Sequence, residues 1–139
     1  MKLIVDANIL FAALIKEGFT AELLISDKLQ LFAPEFLFIE FAKYEERILK
    51  KTSRSLDEFK EFIELLKVQI TIISKKDITP FIAEADKISP DPKDTIYLAL
   101  ALALKASVWS NDKRLKQDQD KILVLSTEEV IEKTNILDI

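Results

Sequence analysis

The sequence predicts an α/β fold, with a central, mostly parallel sheet of four to five strands between two layers of helices. Three observations carry this. Short aliphatic runs alternate with segments of helical periodicity along the whole 139-residue chain, the pattern of a parallel sheet covered on both faces. The segment Pro92 to Lys105 is apolar almost all round and reads as a buried helix. No repeat, low-complexity tract or linker interrupts the pattern, and the length suits one domain over residues 1–139.

The elements follow in order. Leu3 to Val5 is an apolar run ending at Asp6 and reads as a buried strand. Ile9 to Lys16 reads as a helix stopped by Gly18, and Thr20 as the cap of a second helix, Ala21 to Asp27. Leu29 to Phe32 is a strand closed by Pro34. Glu35 to Lys51 reads as one long amphipathic helix, and Leu56 to Lys67 as another, with Phe59, Phe62, Ile63 and Leu66 at helical spacing. Ile70 to Ile73 is β-branched and reads as a strand, Pro80 to Ile88 as a short helix. Ser107 to Ser110 and Ile122 to Leu125 read as strands, Lys113 to Lys121 as an exposed loop, and Thr127 to Ile136 as a final helix with Glu128 and Glu129 in its first turn.

Composition narrows the chemistry. A chain this long buries roughly two thirds of its unfolded surface. It has no cysteine and no histidine, which removes disulfides, thiolate or imidazole metal sites, histidine bases and the Ser-His-Asp and Cys-His triads. Lys2 is followed by only three apolar residues before Asp6, so no signal peptide is expected. The longest uncharged apolar stretch, Thr95 to Leu104, is about half of a membrane span. A soluble, cytoplasmic protein without a membrane partner is expected. A single glycine with many Lys, Glu and Ile resembles a thermophile's composition. The net charge of −4 is not the basic footprint usual for nucleic-acid binding, though a cluster of carboxylates would account for it.

Four acids remain as carriers of chemistry. Ligands of open α/β sheets bind beyond the carboxyl ends of the strands. Asp6 directly follows one strand and Asp112 stands two residues after another. Asp94 lies in Pro90-Asp91-Pro92-Lys93-Asp94, a helix start with Asp91 as the cap, and Glu40 is the one charge in the apolar stretch Phe36 to Phe41. Each has an ordinary alternative: a helix cap for Asp6, a turn for Asp112, the first helical turn for Asp94, a surface pair with Lys43 or Tyr44 for Glu40. Held together, unit charges about 5 Å apart repel by about 3 kcal/mol at an effective dielectric near 20. Such a cluster demands protons or a hard divalent cation.

The residues around these acids resemble the PIN-domain family. Val5-Asp6-Ala7-Asn8-Ile9-Leu10 resembles its opening motif, and Pro34 followed by Glu40 its second. Asp94-Thr95-Ile96-Tyr97-Leu98-Ala99-Leu100-Ala101 resembles its third, and Trp109-Ser110-Asn111-Asp112-Lys113 its fourth. All four occur in family order over nearly the whole chain. The resemblance implies a PIN-like sheet and a metal-dependent endoribonuclease preferring single-stranded RNA, similar to the small VapC toxins of toxin–antitoxin pairs. It implies Mg2+ or Mn2+ held by Asp6, Glu40, Asp94 and Asp112, with Asn8 and Ser110 as polar residues that orient them. Asp91 is an extra acid whose ordinary role is capping. A homodimer and a small antitoxin protein are the partners implied. Many members carry another acid two residues after the fourth Asp, where this chain has Arg114, which would leave one metal site.

RNA needs positive charge. Lys43, Arg47, Lys50, Lys51 and Arg54 step along the Glu40 helix, and Lys113, Arg114 and Lys116 flank Asp112. A plain solvated face is the alternative, since Glu45 and Glu46 interrupt the stripe. Phe11 and Tyr44 are candidates for base stacking. The competing function is a catalytically silent PIN-like module that binds RNA or protein. Receiver-like and haloacid-dehalogenase-type phosphoryl chemistry fit less well, because Asn8 stands where the latter needs an acid.

Overall fold

The computed structural model describes residues 1–16 and 18–134. Its sheet has five strands: β1 (Lys2–Val5), β2 (Gln30–Pro34), β3 (Ile70–Ile73), β4 (Ser107–Trp109) and β5 (Val124–Leu125). They lie in the order β3-β2-β1-β4-β5 and every pairing is parallel. The four-to-five-strand, mostly parallel expectation thus resolves to five strands, all parallel.

Side chains alternate between the two faces of the strands, and this splits the core in two. Leu3, Val5, Leu31, Ala33, Trp109 and Leu125 point into one cluster. That layer is built on α1 (Ala7–Ile15), α2 (Phe19–Leu24), α3 (Glu35–Lys43), α4 (Glu45–Lys51), α5 (Leu56–Gln69) and α10 (Thr127–Thr134). Ile4, Val108 and Val124 point into the other. There they meet α6 (Lys75–Ile78), α7 (Ile82–Ile88), α8 (Thr95–Leu104) and α9 (Lys113–Gln117). Thr95, Tyr97 and the run Leu98 to Ala101 of α8 are all buried, as the all-round apolar reading requires.

Several boundaries differ from the sequence reading. The expected long helix Glu35 to Lys51 is two, α3 and α4, meeting at Tyr44 (φ −104°, ψ 12°). The helical hydrogen bonds still cross the joint, from Tyr44 N–H to Glu40 O at 3.0 Å and from Ile48 N–H to Tyr44 O at 3.1 Å. Gly18, not Thr20, precedes α2, and Thr20 lies inside the helix. The Pro80 to Ile88 segment starts earlier, with α6 and a short 3₁₀ turn over Thr79–Phe81 before α7. The expected loop Lys113 to Lys121 begins as α9, because Asp112 caps it and Leu115 is buried. The expected end of the last helix, at Ile136, lies outside the described residues.

One clamp ties the first layer together. Arg54, just before α5, donates to the carbonyls of Ala13 and Leu14 at 2.7 and 3.1 Å, which satisfies the C-terminal end of α1. Its guanidinium stands 4.3 Å from the ring centroid of Phe62. A capping box on Ser55 and Glu58 starts α5 beside it.

Candidate functional site

The strand order reverses at β1: β2 and β3 lie on one side of it, and β4 and β5 on the other. At such a switch point the loops leaving the strand ends part and open a crevice. Asp6 leaves β1 there, and its backbone N–H donates to Trp109 O at 3.1 Å. Ser110 leaves β4 beside it.

The Ser110 hydroxyl is buried and donates to Asp6 Oδ2 at 2.6 Å. The same oxygen accepts from the Asp112 backbone N–H at 3.1 Å. One hydroxyl therefore spaces two acids. Asp112 caps α9, its Oδ1 accepting from Arg114 N–H at 2.9 Å and Leu115 N–H at 3.3 Å, where the ordinary alternative is a turn. Asp6 starts α1 without a side-chain capping bond. The other two acids come from flanking helices: Glu40 from α3 and Asp94 from the 3₁₀ turn Pro92–Asp94 that leads into α8. Asp91 caps that turn through a 2.9 Å bond from Lys93 N–H, as expected.

Asp6, Glu40, Asp94 and Asp112 all line one cleft of about 540 Å³, together with Asn8 and Asp91. The electrostatics follow. Burial pushes the Asp6 carboxyl above its ordinary range and the charge of Asp112 adds to this, against the Ser110 hydrogen bond and the nearby backbone N–H groups of Ala7 and Asn8. Asp94 is pushed up to about 6, by burial first and then by the charges of Asp6, Asp112 and Asp91, with Arg114 opposing. The Tyr97 phenol is also raised, by burial and by Asp6, Glu40 and Asp94. Negative charge is in excess here, and the donors are all carboxylate oxygens, the hard set that magnesium or manganese takes. Among the described residues no three acids are gathered as a finished ligand set.

The basic residues expected to meet RNA stand outside the cleft lining. Lys43 and Arg47 are at its rim, Nζ and Cζ each 5.6 Å from the ring centroid of Tyr44, which lines the cleft. Arg114 is near enough for its charge to act on Asp94, while Lys51 and Lys113 are simply exposed. Both proposed stacking residues, Phe11 and Tyr44, are on the wall.

Sequence reasoning missed Phe36, Lys93 and Tyr97, which also line it. Lys93 is the single cation among the described lining residues. The signal was present: Phe36, Glu40 and Tyr44 step by four, and Asp94 and Tyr97 by three, which puts each set on one helix face.

A family model described as PIN domain matches residues 4–130. Among solved structures, the chain is similar to VapBC2 from Rickettsia felis bound to a DNA fragment from its promoter. That match has a TM-score of 0.65 and 15% identity, covering 91% of this chain and 98% of that one. It is also similar to a toxin–antitoxin complex from Klebsiella pneumoniae, with a TM-score of 0.58 and 15% identity, over 83% of this chain and 90% of that one. These likenesses show the fold. No curated protein matches.

Proposed function

The chain belongs to the PIN domain family, and from that premise we propose that it is a divalent-metal-dependent endoribonuclease of single-stranded RNA, acting in the cytoplasm as the toxin of a toxin–antitoxin pair. The observation that carries this is the meeting of Asp6, Glu40, Asp94 and Asp112 on one cleft at the switch point of the sheet. The structural likeness to two toxin–antitoxin complexes supports the toxin role and an antitoxin partner. A homodimer is part of the same proposal.

Asp6, Glu40, Asp94 and Asp112 would hold Mg2+ or Mn2+, which when bound activates water and offsets charge on a scissile phosphate. The chain's own groups prepare the site. Ser110 holds Asp6 and the Asp112 backbone in register. The α9 backbone amides engage one Asp112 oxygen and so fix the carboxylate plane. Asn8 adds a polar amide to the wall. Lys93 brings a positive charge to a wall that would otherwise repel phosphate, and Lys43, Arg47, Lys51, Lys113 and Arg114 would draw the strand in from outside.

The test is cleavage of a labelled single-stranded RNA with Mg2+ or Mn2+ and with chelator, by the native chain and by Asp6→Asn. Cleavage that needs metal and is lost in the variant supports the reading; equal cleavage by both, or none by either across several RNAs, overturns it. A second reading, a catalytically silent module that binds RNA or protein, has in its favour the absence of a finished ligand set among the described residues. Isothermal titration with Mn2+ separates the two, since the silent module takes up no ion.

A further inference from the structure

We propose that Phe36 and Tyr44 are paired stacking platforms for unpaired nucleobases, bracketing Glu40 so that bases on either side of the cleft-bound phosphate lie against the two rings. This rests on the nuclease reading and adds a base subsite to it.

Phe36, Glu40 and Tyr44 stand at i, i+4 and i+8, and all three line the cleft. Because the Tyr44 N–H to Glu40 O bond carries the helical spiral across the α3–α4 joint, the three form one row. At 1.5 Å per residue the two aromatic positions each lie about 6 Å along the axis from Glu40, about 12 Å from one another. Neighbouring bases of a duplex strand are only about 3.4 Å apart. A row of ring, carboxylate and ring therefore suits bases splayed to either side of a phosphate, as a single strand permits and a duplex does not.

The two rings are also available. Phe36 is 43% exposed, whereas Phe41 on the same helix is 5% exposed and packs edge-on against Phe11 with centroids 4.8 Å apart. Among the described residues, Phe36 belongs to neither core cluster. Tyr44 is half-buried, and Lys43 and Arg47 flank its ring. Those cations can meet the phosphates next to a base stacked on the ring. Aromatic faces accept any base, so the subsite selects for single strands and not for sequence.

The experiment uses the full chain carrying Asp6→Asn, to prevent cleavage, and fluorescence anisotropy with a labelled oligouridylate and an abasic ribose–phosphate strand of equal length. The intact strand is expected to bind more tightly. Phe36→Ala and Tyr44→Leu, the latter keeping apolar bulk, each weaken it by about 5-fold or more, as loss of one stacked base does. Tyr44→Phe retains affinity, and the abasic strand is indifferent to all three. Equal binding of the two strands, or intact-strand affinity unchanged in both Phe36→Ala and Tyr44→Leu, overturns the stacking subsite alone. No binding of any strand by the parent, with no cleavage by the native chain, overturns the nuclease reading as well.

Discussion

Ser110 and Asp6, 104 residues apart in sequence, are joined by a buried 2.6 Å hydrogen bond across the central β1–β4 pair. The serine donates, so it stabilises the charged carboxylate and holds the Asp6 carboxyl below where burial alone would push it. Ser110→Ala removes that donor and also leaves the Asp112 backbone N–H without its acceptor. Chemical denaturation should show a loss of about 1–3 kcal/mol. Cleavage should fall about 10- to 100-fold, and the acid limb of its pH profile should move to higher pH. Ser110→Thr should restore most of both. A variant with an unchanged pH profile would show that the bond does not tune Asp6.

Asp94 gives the free protein an unusual pH response. Its carboxyl titrates near 6 in the fold against an ordinary 3.8, so the folded chain binds the proton more tightly than the unfolded one. Its contribution to stability is full below about pH 4 and is lost as pH rises through 6. The metal-free chain should therefore melt at lower temperature at pH 7 than at pH 5. Asp94→Asn should flatten that slope and raise the pH 7 melting temperature by about 2–5 °C, allowing for solvent screening at a half-exposed site. Added Mg2+ or Mn2+ should stabilise the native chain at pH 7 and progressively less below 6. Scanning calorimetry across this range, with and without metal, checks all three.

Arg54 tests the frame and not the chemistry. It satisfies two carbonyls at the end of α1 and lies over Phe62, linking the helix that begins at Asp6 to α5. Arg54→Ala should cost about 2–4 kcal/mol in urea unfolding, from two charge-assisted hydrogen bonds and a cation–π contact. Arg54→Lys should recover only part, because an ammonium cannot reproduce the flat, forked guanidinium. Equal stability of all three proteins would remove the clamp from the account.

The fold was legible where a pattern is repeated. Leu3, Ile4 and Val5 point alternately into two cores, so their short run between polar flanks could only be a fully covered strand, and Asp6 had to emerge at its end. The four acids were legible because no cysteine or histidine competes for the chemistry. What stayed hidden depends on a few contacts. No glycine or proline marks the α3–α4 joint at Tyr44. The helix α9 rests on one capping carboxylate and one buried leucine in a polar stretch. Phe36 and Tyr97 share a helix face with Glu40 and Asp94, but Lys93 joins the cleft only through the docking angle of its element, which periodicity does not encode.

Arg114 occupies the position where many members of the family have a further acid, and its charge lowers the Asp94 carboxyl against three acids that raise it. Its backbone is fixed by the 2.9 Å bond to Asp112, while its side chain is exposed and within 3.8 Å of Asp118. Arg114→Ala should let Asp94 rise further, moving the acid limb of cleavage to higher pH while changing stability by less than about 1 kcal/mol, since an exposed ion pair contributes little. Arg114→Asp should go beyond this, because it replaces an opposing cation with another oxygen donor beside Asp112. Isothermal titration with Mn2+ should then give a higher stoichiometry than the single ion expected of the native chain. Two ions bound by the native chain, or no change in stoichiometry on Arg114→Asp, would show that the arginine does not set the metal count.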